Sequence, residues 1–264
     1  MWTARWVKGE KLLVDSKIIE EARRFLGVEE YPGNLFNLFK NTEKMIKEKK
    51  VILFKEDIDK LSGFIGYNSG YTIICINNRR NIGHQNFTLA HELGHRFLHI
   101  GVSKSDTDPE SSGGDKEEYE ANCFAKELLY PIRCVEKDIE YVLEENLLSR
   151  ENWSRLAEYI NTLCCKYCTS FSFTFNRLLE KQFKTYQDRK NFYKTFKKKE
   201  VGKFDNRFPE TAFMYNVKDE HEFYKAYYEP YNYMKKLVNS LVDECELGTE
   251  TGEAMVERYR ELEG

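Results

Sequence analysis

Two hydrophobic periods alternate along the first two thirds of the chain. Ile18, Ile19, Ala22, Phe25 and Leu26 recur at helical spacing behind Asp15, which predicts a capped helix from Asp15 to about Leu26. Pro32 and Gly33 break the chain. Leu35, Phe36, Leu38, Phe39, Met45 and Ile46 then predict a second helix from Asn34 to about Lys49. Three short apolar runs, at 51–54, 62–67 and 71–76, read as strands. Asn68-Ser69-Gly70 between the last two is hairpin-turn chemistry. Helical periodicity returns at Phe87, Leu89, Ala90, Leu93, Phe97 and Leu98, and again from Ala121 through Leu179.

Inside the helix that begins near Phe87 lies His91-Glu92-Leu93-Gly94-His95. Residues four apart share one face of a helix, so His91 and His95 aim two imidazoles at one point. Glu92 is one residue further round, where a carboxylate can take a proton from an attacking water. This is the arrangement of a zinc peptidase. Such a site needs a third protein ligand. His99 is four residues beyond His95 but eight beyond His91, roughly 12 Å along a straight helix, so the three histidines cannot share an ion. His99 reads as a satisfied histidine near a helix end.

The stretch DKEEYEANCFAKELLYP at 115–131 offers a better donor. Asp115 reads as its cap. Ala121, Phe124, Ala125, Leu128 and Leu129 make one apolar face, and helical phase puts Glu118 inside it, with Glu120 at its edge and Glu117 in the fraying first turn. A carboxylate on a core-facing stripe is costly unless paired or metal-bound. Glu118 is therefore the expected third ligand. Asn122, one turn on, is spaced to hydrogen-bond a ligand from behind.

The two blocks FTLAHELGHRFLH and EYEANCFAKELLYP resemble the ImmA/IrrE metallopeptidases across roughly residues 15–180. That resemblance implies an α+β, zincin-like fold with a glutamate third ligand. It carries the ligand role onto His91, His95 and Glu118, the base role onto Glu92, and Zn2+ into the site, a gluzincin-type arrangement. It also implies a protein substrate, namely a helix-turn-helix transcriptional repressor of a mobile element or stress response. Tyr130 departs from the resemblance, which has Met before Pro131. In a zincin an edge strand pairs with the extended substrate. The strand at 71–76 is the candidate edge, with Tyr71 and Ile73 as candidate substrate contacts.

Composition adds bounds. The chain is 41% hydrophobic and 32% charged with a net charge of −3, which suits a globular protein and gives no global bias towards nucleic acid or membrane. No apolar run approaches the ~18 residues of a membrane span. The first residues lack a signal peptide's apolar core, so a cytoplasmic location is expected. Seven scattered cysteines fit reduced thiols. The CxxC ending at Cys168 has no second pair and reads as helical thiols. Walker loop, dinucleotide fingerprint, internal repeat and local Ser-nucleophile signatures do not occur.

Residues 1–148 are expected to form the metallopeptidase domain and 149–183 a helix-turn-helix-like packing unit that completes its core. Residues 184–264 then form an aromatic-rich helical region suited to a partner. SKSDTDPESSGG at 103–114 reads as a polar loop. Residues 184–208 carry nine Lys or Arg against three acids, with six interleaved aromatics. Residues 241–264 carry eight acids against two Arg, enough to offset that basic stretch within the chain, so nucleic-acid binding is disfavoured. Tyr215–Tyr233 continues the aromatic bias, and His221 in it reads as a surface histidine. The alternative to catalysis is a non-proteolytic regulator that uses the peptidase fold as a protein-binding scaffold.

Helical phase thus predicts that Glu118→Ala strips zinc while Glu117→Ala and Glu120→Ala retain it. Metal analysis of the three purified variants checks this.

Overall fold

The structure, a computed structural model, describes residues 14–39, 42–56, 58, 60–68, 70–77, 80–99, 104–106, 116–199, 235, 238–239, 242–243 and 248–263. Asp115, most of the polar loop at 103–114, and Tyr215–Tyr233 with His221 lie outside the described residues. The chain divides into two compact units, Met1–Asn216 and Val217–Gly264.

Helix α1 spans Ser16–Leu26. Asp15 caps it by accepting a hydrogen bond from the Lys17 N–H, and Gly27 ends it in the left-handed conformation. The single helix expected from Asn34 to Lys49 is instead a short 3-10 helix, Leu35–Phe39, and α2, Thr42–Lys47. The first piece has a local cause. Asn34 Oδ1 caps its start by accepting from the Phe36 N–H, and the Leu35 N–H, without a partner in its own turn, goes to Asn86 of a distant helix.

Strands β1 (Val51–Glu56), β2 (Gly63–Asn68) and β3 (Tyr71–Asn77) follow, and β4 (Lys104–Asp106) completes a four-stranded sheet of order β1-β3-β2-β4. β1 pairs parallel with β3; β2 pairs antiparallel with both β3 and β4. The β2–β3 hairpin turns where expected, with Asn68 opposite Tyr71. β3 is therefore an interior strand, hydrogen-bonded on both sides. The expectation that it forms the substrate edge is corrected, and with it the placing of Tyr71 and Ile73 as substrate contacts. The physical reason is non-local. β1 returns parallel beside β3, and its partner cannot be read from either run alone. Tyr71 meets Lys50, which lies 4.7 Å over its ring and 3.2 Å from its hydroxyl. The edge beyond β2 is occupied by β4, a strand inside a stretch that reads as a polar loop.

Helix α3 (Ile82–Leu98) is capped by Asn81, which accepts from the His84 N–H. It is almost entirely buried between the sheet and α4 (Lys116–Leu129), with α1 and the Leu35–Phe39 turn also against it; α5 (Ile132–Glu144) follows. A 3-10 turn at Arg150–Asn152 leads to α6 (Trp153–Tyr167), and α7 (Phe171–Leu179) and α8 (Tyr186–Lys199) finish the unit. Phe171, Phe173, Phe175, Leu178 and Leu179 of α7 are buried, so that helix presents a packing face where a DNA reader would present polar side chains. The second unit contains α9, Thr249–Glu263. Among the described residues no helix is long and apolar enough to cross a membrane.

Two buried polar residues knit the core. Asn86 accepts from the Leu35 N–H at 2.8 Å and donates to the carbonyls of Gly33 at 2.9 Å and Cys168 at 2.8 Å. Asp138 accepts from the hydroxyls of Tyr130 at 2.8 Å, Tyr167 at 2.7 Å and Tyr159 at 3.4 Å, with Lys166 Nζ at 3.6 Å. Burial pushes the Tyr130 and Tyr167 phenols up, and the Asp138 charge pushes them further, so both remain hydrogen-bond donors. The tyrosine that departs from the resemblance at position 130 thus has a partner of its own.

Asn86→Ala leaves one buried N–H and two buried carbonyls without that partner. It should cost about 3 kcal/mol and lower the thermal midpoint by on the order of 10 °C, as read by calorimetry.

Candidate metal centre

Helices α3 and α4 run antiparallel in close contact. Gly94 sits between His91 and His95 on one helix, and Ala121 between Glu118 and Asn122 on the other. A Cβ added at Gly94 would meet Ala121 Cα at 3.0 Å and Ala121 O at 3.1 Å, both backbone atoms that cannot give way. Glycine facing alanine is what lets the two helices approach this closely.

The approach brings three of the expected donors together. His91, His95 and Glu118 each offer an atom, all within 4.8 Å of one another, the one such cluster among the described residues. The two Nε2 atoms are 3.0 Å apart, and the Glu118 oxygens lie 3.1 Å from His91 Nε2 and 3.2 Å from His95 Nε2. Ligand bonds of 2.0–2.2 Å in a tetrahedral zinc site imply donors about 3.3 Å apart, so the triangle fits such an ion. All three residues are buried: His91 is 0%, His95 1% and Glu118 8% exposed.

Hydrogen bonds behind the imidazoles set their tautomers. His91 Nδ1 lies 3.1 Å from Asn122 Oδ1, an acceptor, so Nδ1 carries the proton and Nε2 keeps its lone pair. The second imidazole is held through a relay. His99 Nε2 donates to Glu120 Oε2 at 3.0 Å, which leaves His99 Nδ1 as the acceptor for His95 Nδ1–H at 3.2 Å. His95 Nε2 is then also a lone pair. Lys116 reaches the far oxygen of Glu120 at 3.4 Å. Two lone pairs and a carboxylate converging in a buried spot repel one another until a cation joins them, and this is the chemical case for a metal. Burial alone would raise the Glu118 pKa. Wherever an imidazole instead takes a proton at Nε2, its hydrogen bond and charge outweigh that burial and hold the carboxyl well below the usual range, so Glu118 is an anion in either state.

Glu92 is 1% exposed and turned towards β2. A Cβ at Gly63 would fall 3.1 Å from Glu92 Oε1 and 2.6 Å from Thr88, so only glycine admits the carboxylate here. Gly63 pairs with Asp106 of β4, which puts the base beside the β2–β4 end of the sheet. Tyr67, further along β2, stays a neutral phenol. Burial pushes it up and Glu92 adds to that, against the pull of Arg96.

Of the residues the sequence selects, the structure gathers His91, His95 and Glu118, with Asn122 behind His91, and places the Glu92 carboxylate against Gly63 of β2. Tyr71 and Ile73 stand apart on the interior strand. Sequence reasoning leaves His99 satisfied at the helix end, as found, yet misses its link to His95 and Glu120. The register between the two helices is not written in either block, although His95 and His99 at four-residue spacing is a signal for the link. The CxxC does not gather ligands: Cys168 is buried, Cys165 is exposed, and the neighbouring Cys164 donates to Thr174 at 3.3 Å.

Comparison with known proteins agrees with this geometry. Residues 46–161 match a peptidase family described as the IrrE N-terminal-like domain. The chain is 28% identical over 103 residues to Metallopeptidase ImmA of Bacillus subtilis (strain 168), covering 39% of this chain and 61% of that protein. It is 35% identical over 89 residues to "Uncharacterized immunity region protein 2" of Bacillus phage phi105, covering 33% of this chain and 56% of that one.

Asn122→Ala and Glu120→Gln should each weaken metal binding about 10- to 100-fold without removing a ligand. Chelator competition measures this. Glu120 is thus graded differently from the sequence expectation, as a weakening rather than a silent position.

Proposed function

We propose that this chain, whose residues 46–161 belong to the ImmA/IrrE metallopeptidase family, is a zinc-dependent endopeptidase acting on a protein substrate. The observation that carries the proposal is the buried convergence of His91 Nε2, His95 Nε2 and Glu118 with Glu92 beside them. When bound by those three residues, zinc supplies Lewis-acid polarisation of the scissile carbonyl and makes water acidic enough to lose a proton near neutral pH. Glu92 accepts that proton and hands it to the leaving amine nitrogen. Asn122 and the His99–Glu120 pair hold the imidazoles in the tautomers that leave Nε2 free.

The substrate we infer is a helix-turn-helix repressor. One relative is named as a metallopeptidase and another as a phage immunity region protein, and the second name favours a role in a mobile element. The relatives are covered only in part, 61% and 56% of their lengths, so substrate and partner belong to this proposal alone. An acidic residue kept buried at position 92 disfavours the scaffold alternative, because a structural metal site has no use for a base.

About one zinc per chain is expected, lost in His91→Ala and kept in Glu92→Gln. Cleavage of a cognate repressor should occur with wild type and fall with Glu92→Gln by roughly the 10²–10⁴-fold that general-base catalysis is worth. A metal-free wild type, or equal loss of repressor function with both proteins, would overturn the reading.

A further inference from the structure

Beside the candidate metal centre lies a pocket of about 260 Å³ with its own charge. Its inner end is formed by Asn122, the residue hydrogen-bonded to His91, and by Phe87, one turn before His91 on α3. Phe173 of α7 adds a second aromatic wall, and Tyr186 of α8, well exposed, stands at the rim. The volume is below the ~300 Å³ at which small-molecule sites begin, and it suits a side chain rather than a cofactor.

The charges in the pocket do not balance. Arg177 is spent: it donates to Glu127 at 2.8 Å and to the Tyr130 carbonyl at 3.0 Å, and Glu180 lies 3.9 Å from its second nitrogen. That leaves Lys126 and Arg189. Neither makes an ion pair among the described residues. Arg189 stacks over Tyr186 at 5.4 Å, and its buried Nε has no hydrogen-bond partner. Arg177, Lys126 and Arg189 against Glu127 and the lining carboxylate of Glu180 leave the pocket positive by one charge, and with its aromatic walls one step from His91 it describes a receptor for an anion on a short apolar stem.

We propose that this pocket is a specificity site of the peptidase and takes an acidic side chain, Glu or Asp, of the bound peptide close to the scissile bond. The proposal rests on the peptidase reading for its location and on Lys126 and Arg189 for its preference. The carboxylate would pair with both cations while its methylenes lie against Phe87 and Phe173.

The test uses the zinc-loaded Glu92→Gln protein and blocked tripeptides, acetyl-Ala-Glu-Ala-amide and acetyl-Ala-Gln-Ala-amide, whose only difference is the side-chain charge. Ligand-observed NMR should give about tenfold tighter binding of the Glu peptide, weakened by added salt. Lys126→Gln and Arg189→Gln should each reduce the preference about threefold, and the double variant should abolish it, with the fold checked by circular dichroism. In parallel, zinc-loaded wild type is given a mixed peptide library. Acidic residues should be enriched at one position flanking the cuts, and the enrichment should vanish in the double variant. Equal binding of the two peptides, or a preference unchanged in the double variant, overturns the pocket. Cleavage without acidic enrichment also overturns it while leaving the peptidase reading in place. Glu preference in a protein that cleaves nothing supports the pocket and removes the peptidase.

Discussion

Between Gly94 and Ala121 the two helices of the site stand with almost no side chain to separate them. The donors sit on either side of that contact, His91 and His95 flanking the glycine and Glu118 and Asn122 flanking the alanine. A metal centre tolerates errors of about 0.2 Å in its ligand distances, whereas a methyl group wedged between two helices moves them further than that. The rest of the site therefore depends on this contact. Helical spacing alone aims two imidazoles, but it is the approach of α4 that delivers the carboxylate and the amide.

The same approach organises the protons. Asn122 fixes one imidazole from the facing helix, and Glu120, two residues earlier, fixes the other through His99. Both anchors come from α4 and both anchored rings from α3, so one rigid-body relation sets position and tautomer together. The sheet contributes separately. Gly63 clears room on β2 for the Glu92 carboxylate, so a strand shapes the space around a side chain that α3 supplies.

Much of this was legible in the chain because it is local. The i, i+4 histidines, the phase of Glu118 on its stripe, the Asn122 spacing and the hairpin between β2 and β3 all follow from periodicity within one element. What escaped depends on pairing between elements. β3 reads like any half-buried strand, and only the parallel return of β1 makes it interior. β4 hides in a polar run because three residues paired on one side need no apolar signature. The Leu35 N–H at the head of the first helical piece is taken by Asn86, far along the chain, a bond no local pattern announces. The hydroxyls gathered on Asp138 likewise come from separate helices, and nothing in their spacing announces it.

The ligands of the centre are divided between stretches on either side of the segment that joins α3 to α4. An ion held by His95 and Glu118 closes that segment into a loop, as a disulfide would, and removes entropy from the unfolded chain, by about 3 kcal/mol on the scale of loops of this size. A metal bound there would be a reversible staple for the chain. Supply of the metal would govern how long the chain survives unfolding and degradation, so that a cell short of the ion would hold less of the protein.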